Sequence, residues 1–318
     1  MREFEPFEVK VPGSTANLGS GFDSIGLALN RFLYLRVEPS DELQFHAVGN
    51  ELARLNQSEE NLIFRVMEPL FHQAGKSFSS MRIEVESEIP LARGLGSSAS
   101  AIVGSLMAAN HLLDNPFSKD ELFQLATKWE GHPDNVGASL YGGVVIASWD
   151  GEKAHCVKAQ APPFPILVAI PDTSLATSRA REVLPDHMEH ADAVLASSRA
   201  NLLTAAMLTG DREALRVGMQ DRFHQPYRLS LIPGLEELIS EAPNQGAIGV
   251  ALSGAGPTVI AFTEDEEKTF HYMESVFRKN STSVRILRLD SCSEGVTLHL
   301  TKDVAPSKVV GKIKGENR

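Results

Sequence analysis

The segment richest in chemistry is Ile89-Pro90-Leu91-Ala92-Arg93-Gly94-Leu95-Gly96-Ser97-Ser98-Ala99-Ser100. Two glycines one residue apart let the backbone approach an anion closely and adopt turns closed to other residues. N–H groups exposed at a helix start point at such an anion, and the helix dipole favours its charge. Ser97 and Ser98 add hydroxyls that can cap the helix, touch a phosphate or reach a metal ion. Without a ligand the same residues are a glycine-rich helix entry with serine caps, and spacing by itself leaves both readings open.

Two other phosphate motifs compete with this one. Gly75-Lys76-Ser77 ends like a Walker A loop, but Leu70 stands where that loop needs its first glycine. Gly94-x-Gly96-x-x-Ala99 matches a dinucleotide fingerprint, with Asp114 about where a ribose contact would lie. The preceding strand argues against it. Met81-Arg82-Ile83-Glu84-Val85-Glu86 alternates apolar with charged residues, whereas a Rossmann first strand is buried on both faces, and Pro90 separates strand from glycines.

The elements that must position the loop follow from periodicity. Val9 to Val11 reads as a short strand entering a loop, Pro12 to Asp23, dense in Gly, Ser and Pro. Ile25 to Asn30 and Leu33 to Val37 read as two strands, and Asn61 to Ala74 as a helix with Leu62, Val66, Leu70 and Phe71 along one side. Ala101 to Leu113 is almost entirely apolar or small, a helix buried on most sides. Ser118-Lys119-Asp120-Glu121 is a capping box opening a helix that stops near Gly131, and Gly142 to Ala147 is a strand.

Pro162-Pro163-Phe164-Pro165 is the most linker-like stretch, so one domain is expected over 1–162, a second over 163–301, and a loose Lys/Gly-rich tail over 302–318. Beyond it come a strand at Ile166–Ile170, helices at Ala191–Met207, Asp211–Phe223 and Gly234–Ser240, and strands at Ile248–Leu252 and Thr258–Phe262. A helix at Glu266–Lys279 and a strand at Val284–Leu289 follow. With the extra helices set aside, this is strand, helix, strand, strand, helix, strand, the order of a ferredoxin-like split βαβ unit.

Composition narrows the function classes. A chain of 318 residues suggests about two domains, and 42% hydrophobic with 22% charged residues excludes disordered, collagen-like and coiled-coil chains. Acids outnumber bases 41 to 30, for a formal charge of −11, with no basic block, which disfavours nucleic acid and anionic membrane as partners. A small anion can still bind in a local pocket. Cys156 and Cys292 are too few for a disulfide framework or a zinc cluster. No apolar run approaches ~18 residues, and the acidic start Met1 to Glu5 has no apolar signal core. The expected setting is the cytoplasm. A homodimer is the expected assembly, since two-fold dimers are the commonest oligomers.

Ile89 to Ser100 resembles the phosphate-binding signature of the GHMP kinases, which include galactokinases, homoserine kinases and mevalonate kinases, at every position. Pro12 to Asp23 with Gly26-Leu27, Gly131-His132-Pro133-Asp134-Asn135-Val136 and Ser253-Gly254-Ala255-Gly256-Pro257 are similar to the homoserine kinase branch. So are Ala176-Thr177-Ser178-Arg179-Ala180-Arg181 and His224-Gln225-Pro226-Tyr227-Arg228.

The resemblance implies an α+β fold of two domains, an N-terminal one like ribosomal protein S5 domain 2 and a ferredoxin-like C-terminal one. It implies phosphoryl transfer from ATP, with Mg²⁺, to the side-chain hydroxyl of L-homoserine, in threonine biosynthesis. The ATP site would comprise Pro90, Leu91, Ala92, Arg93, Gly94, Leu95, Gly96, Ser97, Ser98, Ala99 and Ser100, with Asn61 either meeting the adenine or capping its helix. Ser98 and Glu130 would hold the metal, a hydroxyl and a carboxylate suited to a hard ion.

For a zwitterionic substrate the resemblance points to Arg181 and Arg228 for the carboxylate and Asp23 for the ammonium, with Asn17, His132 and Thr177 completing the pocket. Asp134 aligns with the base of mevalonate kinases. Asn135 beside it could instead orient the hydroxyl and leave the phosphate to take the proton. The mevalonate kinase lysine has no match, since Ser14 stands in that loop position. Ser20 and Gly13 replace the Pro and Ala usual in the N-terminal motif. The competing functions are another GHMP kinase of mevalonate or shikimate type, a dehydrogenase using the Gly94 loop, and an inactive regulator on this fold. Retention of Ser98, Glu130 and Asp134 together speaks against the last.

Overall fold

In the computed structural model, which describes residues 4–49, 61–78 and 81–301, the chain opens on strands β1 (Phe7–Asn17) and β2 (Gly21–Pro39), paired antiparallel. The expected loop at Pro12–Asn17 is strand. A register shift between Pro12 and Gly13 absorbs the residue that cannot donate to a ladder. Space at Gly13 is tight, since a Cβ would meet the Ile89 side chain and the Arg31 carbonyl at 3.1–3.2 Å. The two short strands expected over 25–37 are one long ribbon for the same reason: the bulge bends the pair without ending it.

Next come β3 (Gln44–Val48), α1 (Leu62–Gln73), β4 (Met81–Ser87), α2 (Ser97–Leu112), α3 (Lys119–Glu130), α4 (Asp134–Tyr141), β5 (Val144–Trp149) and β6 (Ala154–Ala159). Strand β4 alternates as expected, with Met81, Ile83 and Val85 buried. Helix α2 lies against β1, α1, α3 and α4, which explains its nearly continuous apolar sequence. The Ser118 capping box is present in full.

The second half contributes β7 (Ile166–Pro171), α5 (Thr177–Glu182), α6 (His190–Thr209), α7 (Arg212–Gly218), α8 (Gln225–Arg228), α9 (Leu235–Glu241), β8 (Ala247–Leu252), β9 (Val259–Thr263), α10 (Glu266–Lys279) and β10 (Val284–Leu289). These strands form an antiparallel sheet in the order β10-β7-β9-β8, the spatial order of a ferredoxin-like unit. The helix expected to reach Phe223 ends at Gly218. Gly218 packs so closely on Leu203 that a Cβ would lie 2.6 Å from its backbone nitrogen. Asp221 then takes the amide N–H groups of Phe223, His224 and Gln225 and starts a new turn.

The last strand, β11 (Thr297–Leu300), leaves the second half and pairs with β1. The first sheet therefore runs β11-β1-β2-β4-β3, with β5 and β6 branching from β2, and residues 297–300 of the expected 163–301 block belong to it. The expected tail over 302–318 lies outside the described residues.

Strand β7 joins the two halves. Ile166, Val168 and Ile170 pack into the core shared with the first sheet, while Leu167 and Ala169 face a second core with Leu235, Leu238, Met273 and Phe277. Burial on both faces explains its continuous apolar run.

Candidate active site

A cleft of about 250 Å³ opens where the loop before α2 meets the turn after β1, the start of α4 and the Gly254 turn between β8 and β9. Ala92, Gly94 and Gly96 along the loop all have positive φ, at 51°, 78° and 71°. Gly96 is the N-cap of α2, and no side chain caps that helix start, which lines the cleft through Gly96, Ser97 and Ser98. Both glycines are required by space. A Cβ on Gly94 would stand 2.2 Å from the Ser253 carbonyl oxygen, and one on Gly96 would stand 2.2 Å from Ser14 Oγ. Gly94→Ala is expected to cost at least ~2 kcal/mol of stability, from strained φ and a backbone clash together. A thermal melt reads this as a lowered Tm, and calorimetry as weakened nucleotide binding.

Not all of the expected loop residues face the cleft. Arg93 donates to the carbonyls of Pro171 and Asp172, each at 3.2 Å, and so anchors the loop to the end of β7. Leu95 and Ala99 are core. Ser100 is buried with its hydroxyl on the Ser97 carbonyl, and Pro90 and Leu91 also stand outside the cleft lining. Asn61 caps α1, its Oδ1 accepting the Ile63 N–H at 2.9 Å, and does not line the cleft.

At one end of the cleft, Ser98 Oγ donates to Glu130 Oε2 at 2.8 Å. Burial pushes the Glu130 carboxyl up from its ordinary range, against the pull of His132 and Ser98. His132 Nδ1 lies 2.7 Å from Asp134 Oδ1, and its Nε2 lies 4.0 Å from Glu130. Burial opposes charge on this ring, but Asp134, then Glu130 and Asp23, outweigh it and hold His132 at about 9. It is an imidazolium at neutral pH. Asp134 opens α4, where the helix dipole favours its charge, and its Oδ1 also accepts the Asn135 N–H at 2.7 Å. Asn135 Oδ1 accepts a hydrogen bond from Ser14 Oγ at 2.9 Å.

Asp23, His132 and Asp134 bring donor atoms within 4.8 Å of one another. With His132 held charged by Asp134 at 2.7 Å, the three form an ion cluster. Ser98 and Glu130 offer hard oxygen donors beside the phosphate loop, and a buried carboxylate with a raised pKa is a group a divalent cation would relieve. The pair fits Mg²⁺.

Beside this cluster, Asn17 and Asp23 both have positive φ. Asn17 Nδ2 donates to the Gly254 carbonyl at 2.8 Å, and its Oδ1 accepts the Asp23 N–H at 3.0 Å. The Asp23 carboxylate receives Arg181 Nη2 at 2.7 and 3.0 Å. Arg228 is 1% exposed. Its Nε donates to the Ala180 carbonyl at 2.9 Å, and Nη1 donates to His224 Nδ1 at 3.0 Å and the Gly254 carbonyl at 3.4 Å. Burial and the Arg181 charge lower it to about 10, so it stays charged.

Thr177 completes this wall, beside Leu175 and Ala176. The Phe22 ring lies 5.4 Å from both the Arg181 and Arg228 guanidinium carbons. Phe22 carries no chemistry of its own to mark it in the sequence, and Gly254, Ala255 and Gly256 of the Ser253–Pro257 motif join the lining without an expected role.

Family models for the GHMP kinases N terminal domain and the GHMP kinases C terminal match residues 61–143 and 203–278. The chain is 42% identical to a homoserine kinase of Deinococcus radiodurans over 301 residues, covering 93% of this chain and 98% of that one. It is 44% identical to a homoserine kinase of Bacillus licheniformis over 259 residues, covering 81% and 85%. The crystal structure of a homoserine kinase from Cytophaga hutchinsonii superposes with a TM-score of 0.83 at 26% identity, over 94% of this chain and 99% of that one. A mevalonate kinase of Methanococcus jannaschii, at 16% identity and a TM-score of 0.68 over 92% and 99%, shares the fold. The phosphate loop, the charged wall of the same cleft and these relatives agree: the chain belongs to the homoserine kinase family of the GHMP kinases.

Proposed function

We propose that this chain transfers the γ-phosphoryl group of ATP to the side-chain hydroxyl of L-homoserine, a step of threonine biosynthesis, in the cytoplasm and as a homodimer. The observation that carries the reading is one cleft lined both by an uncapped helix start at Gly96–Ser98 and by the charges needed for a zwitterion, Asp23 and the Arg181–Arg228 pair. A mevalonate- or shikimate-type substrate has no ammonium group to take the place of Arg181 on Asp23.

Phosphoryl transfer asks a protein for positioning and charge stabilisation. The N–H groups at the start of α2 would receive the triphosphate. Ser98 and Glu130 would hold Mg²⁺, which supplies charge neutralisation on the phosphates when bound. In the structure Asp23 and Arg181 neutralise each other. An amino acid replaces that pair with two new ones, its ammonium on Asp23 and its carboxylate on Arg181 and Arg228. The hydroxyl is then directed to Asp134 and Asn135.

Both bonds to Asp134 are accepted by Oδ1, from Asn135 N–H and His132, leaving Oδ2 for the substrate hydroxyl. His132 and the Asn135 N–H already engage Asp134, an arrangement suited to an orienting role with the proton passing to phosphate. Asp134→Asn is therefore expected to lower kcat about 10- to 100-fold, at or below the ~10²–10⁴ contribution of a dedicated general base. Unchanged turnover would remove Asp134 from the chemistry.

The deciding assay is ADP release with Mg·ATP against L-homoserine, mevalonate, shikimate, galactose and L-serine. Strong turnover on L-homoserine and little on the rest is expected. Turnover on another alcohol would overturn the substrate, and silence on all with tight ATP binding would overturn the activity.

A further inference from the structure

His224 is fully buried, stands outside the cleft lining, and lies directly behind Arg228. Its backbone N–H is one of the three that Asp221 holds. Besides the 3.4 Å approach of Nε2 to the buried Asp221 carboxylate, which like a carbonyl can only accept, the ring makes three contacts. Nε2 lies 2.9 Å from the Gly19 carbonyl, Nδ1 lies 3.0 Å from Arg228 Nη1, and one face stacks on Phe22 with centroids 4.9 Å apart.

These partners leave a single protonation state. A guanidinium only donates, so Nδ1 accepts; a carbonyl only accepts, so Nε2 donates. The ring is the neutral Nε2–H tautomer, because a second proton would oppose an Arg228 N–H. Burial, joined by the Arg228 charge and opposed by Asp221, pushes the ring below the ordinary histidine range, in keeping with that geometry.

We propose that His224 is a positioning residue for the amino-acid substrate: it holds the Arg228 guanidinium in one rotation and ties it to the turn that carries Asn17 and Asp23. With Nε on Ala180 and Nη1 shared by His224 and Gly254, the Nη2 group of Arg228 is left for a carboxylate. The Nε2–H bond to Gly19 fixes the β1–β2 turn against the same ring. One imidazole thus sets the distance between the carboxylate and ammonium subsites. The inference rests on the reading of Arg228 as the carboxylate ligand given above.

Three variants separate the contacts. Gln places a donor near Nε2 and lacks the Nδ1 acceptor, Asn places an acceptor near Nδ1 and lacks the Nε2 donor, and Phe keeps the stack and lacks both. His224→Phe and His224→Gln are expected to raise the L-homoserine KM roughly 10- to 100-fold, the worth of a buried hydrogen bond to a charged group. The KM for ATP stays within about twofold, and His224→Asn recovers most of the loss because the charged contact outweighs the neutral one.

Equal increases in both KM values, an unchanged homoserine KM, or Asn as damaging as Phe would overturn the proposal. Arg228→Met run alongside separates the two levels. If it also leaves the homoserine KM unchanged, the carboxylate reading fails. If it raises that KM and His224→Gln does not, the inference about His224 alone fails. Should the variants not fold, ¹⁵N NMR of the wild-type imidazoles decides: a bare Nδ1 with Nε2–H is expected at His224, and an imidazolium or an Nδ1–H tautomer overturns it.

Discussion

Replacing Arg228 with methionine is expected to raise the KM for L-homoserine roughly 100- to 1,000-fold while leaving the KM for ATP within about twofold. The magnitude is that of removing one partner from a buried, hydrogen-bonded charge pair, about 2–5 kcal/mol. Arg228 reaches this upper range because it is buried and its carbonyl partners hold it rigid, so little ordering cost falls on the substrate.

Lysine is not a conservative replacement here. A point charge on a flexible stem cannot occupy Ala180, Gly254 and His224 together, so Arg228→Lys should recover about tenfold at most. Stability separates this role from a structural one. Methionine fills similar volume and relieves the desolvation of a buried guanidinium, but it leaves the Ala180 and Gly254 carbonyls and His224 Nδ1 without their donor, so a moderate fall in Tm is expected with the KM for ATP unchanged. A large fall in Tm together with both KM values rising would mean that Arg228 chiefly holds the fold.

Glu130→Gln carries the second large effect, on kcat. The carboxylate closes α3, where the helix dipole opposes it, and it is buried near Asp134. Its raised pKa means the ionised form costs stability at neutral pH, and that cost disappears as pH falls through the folded-state value. A cation held there, as proposed above, would offset that cost. The amide is expected to lower kcat roughly 10²–10⁴-fold, the range of a lost electrostatic stabiliser, and to raise the Mg²⁺ concentration needed for half-maximal activity. The Tm without nucleotide should hold or rise. Normal turnover with an unchanged Mg²⁺ requirement would sink the assignment.

These two residues were reached by different routes. Glu130 belongs to a helix whose start and end were legible locally: Ser118 and Glu121 form a capping box, and Gly131 ends the helix in a left-handed conformation. The phosphate loop, the buried helix α2, and the strands and helix from Ile248 to Leu289 were legible for the same reason, since caps, glycines and apolar periodicity act within a few residues. Strand β6 was not read, because a half-exposed edge strand such as Ala-His-Cys-Val-Lys-Ala lacks clean alternation. Strand β11 was not read either, because its four residues gain their partner only by returning to β1.

Local sequence therefore accounts for the helix start that receives phosphate, for the elements around it, and for the order of the second sheet. It carries no information on which distant charges meet. Asp23 and Arg181 are 158 residues apart, Ser14 and Asn135 are 121, and Gly19 and His224 are 205. Phe22 becomes a platform for two guanidinium groups only when α5 and α8 close over the β1–β2 turn. The protonation states of His132 and His224, one pushed up by carboxylates and the other down by burial, follow from those meetings. The physical reason is one of range. Backbone propensity and capping act over a turn or two, whereas burial and Coulomb interactions depend on which parts of the chain packing brings within a few ångströms.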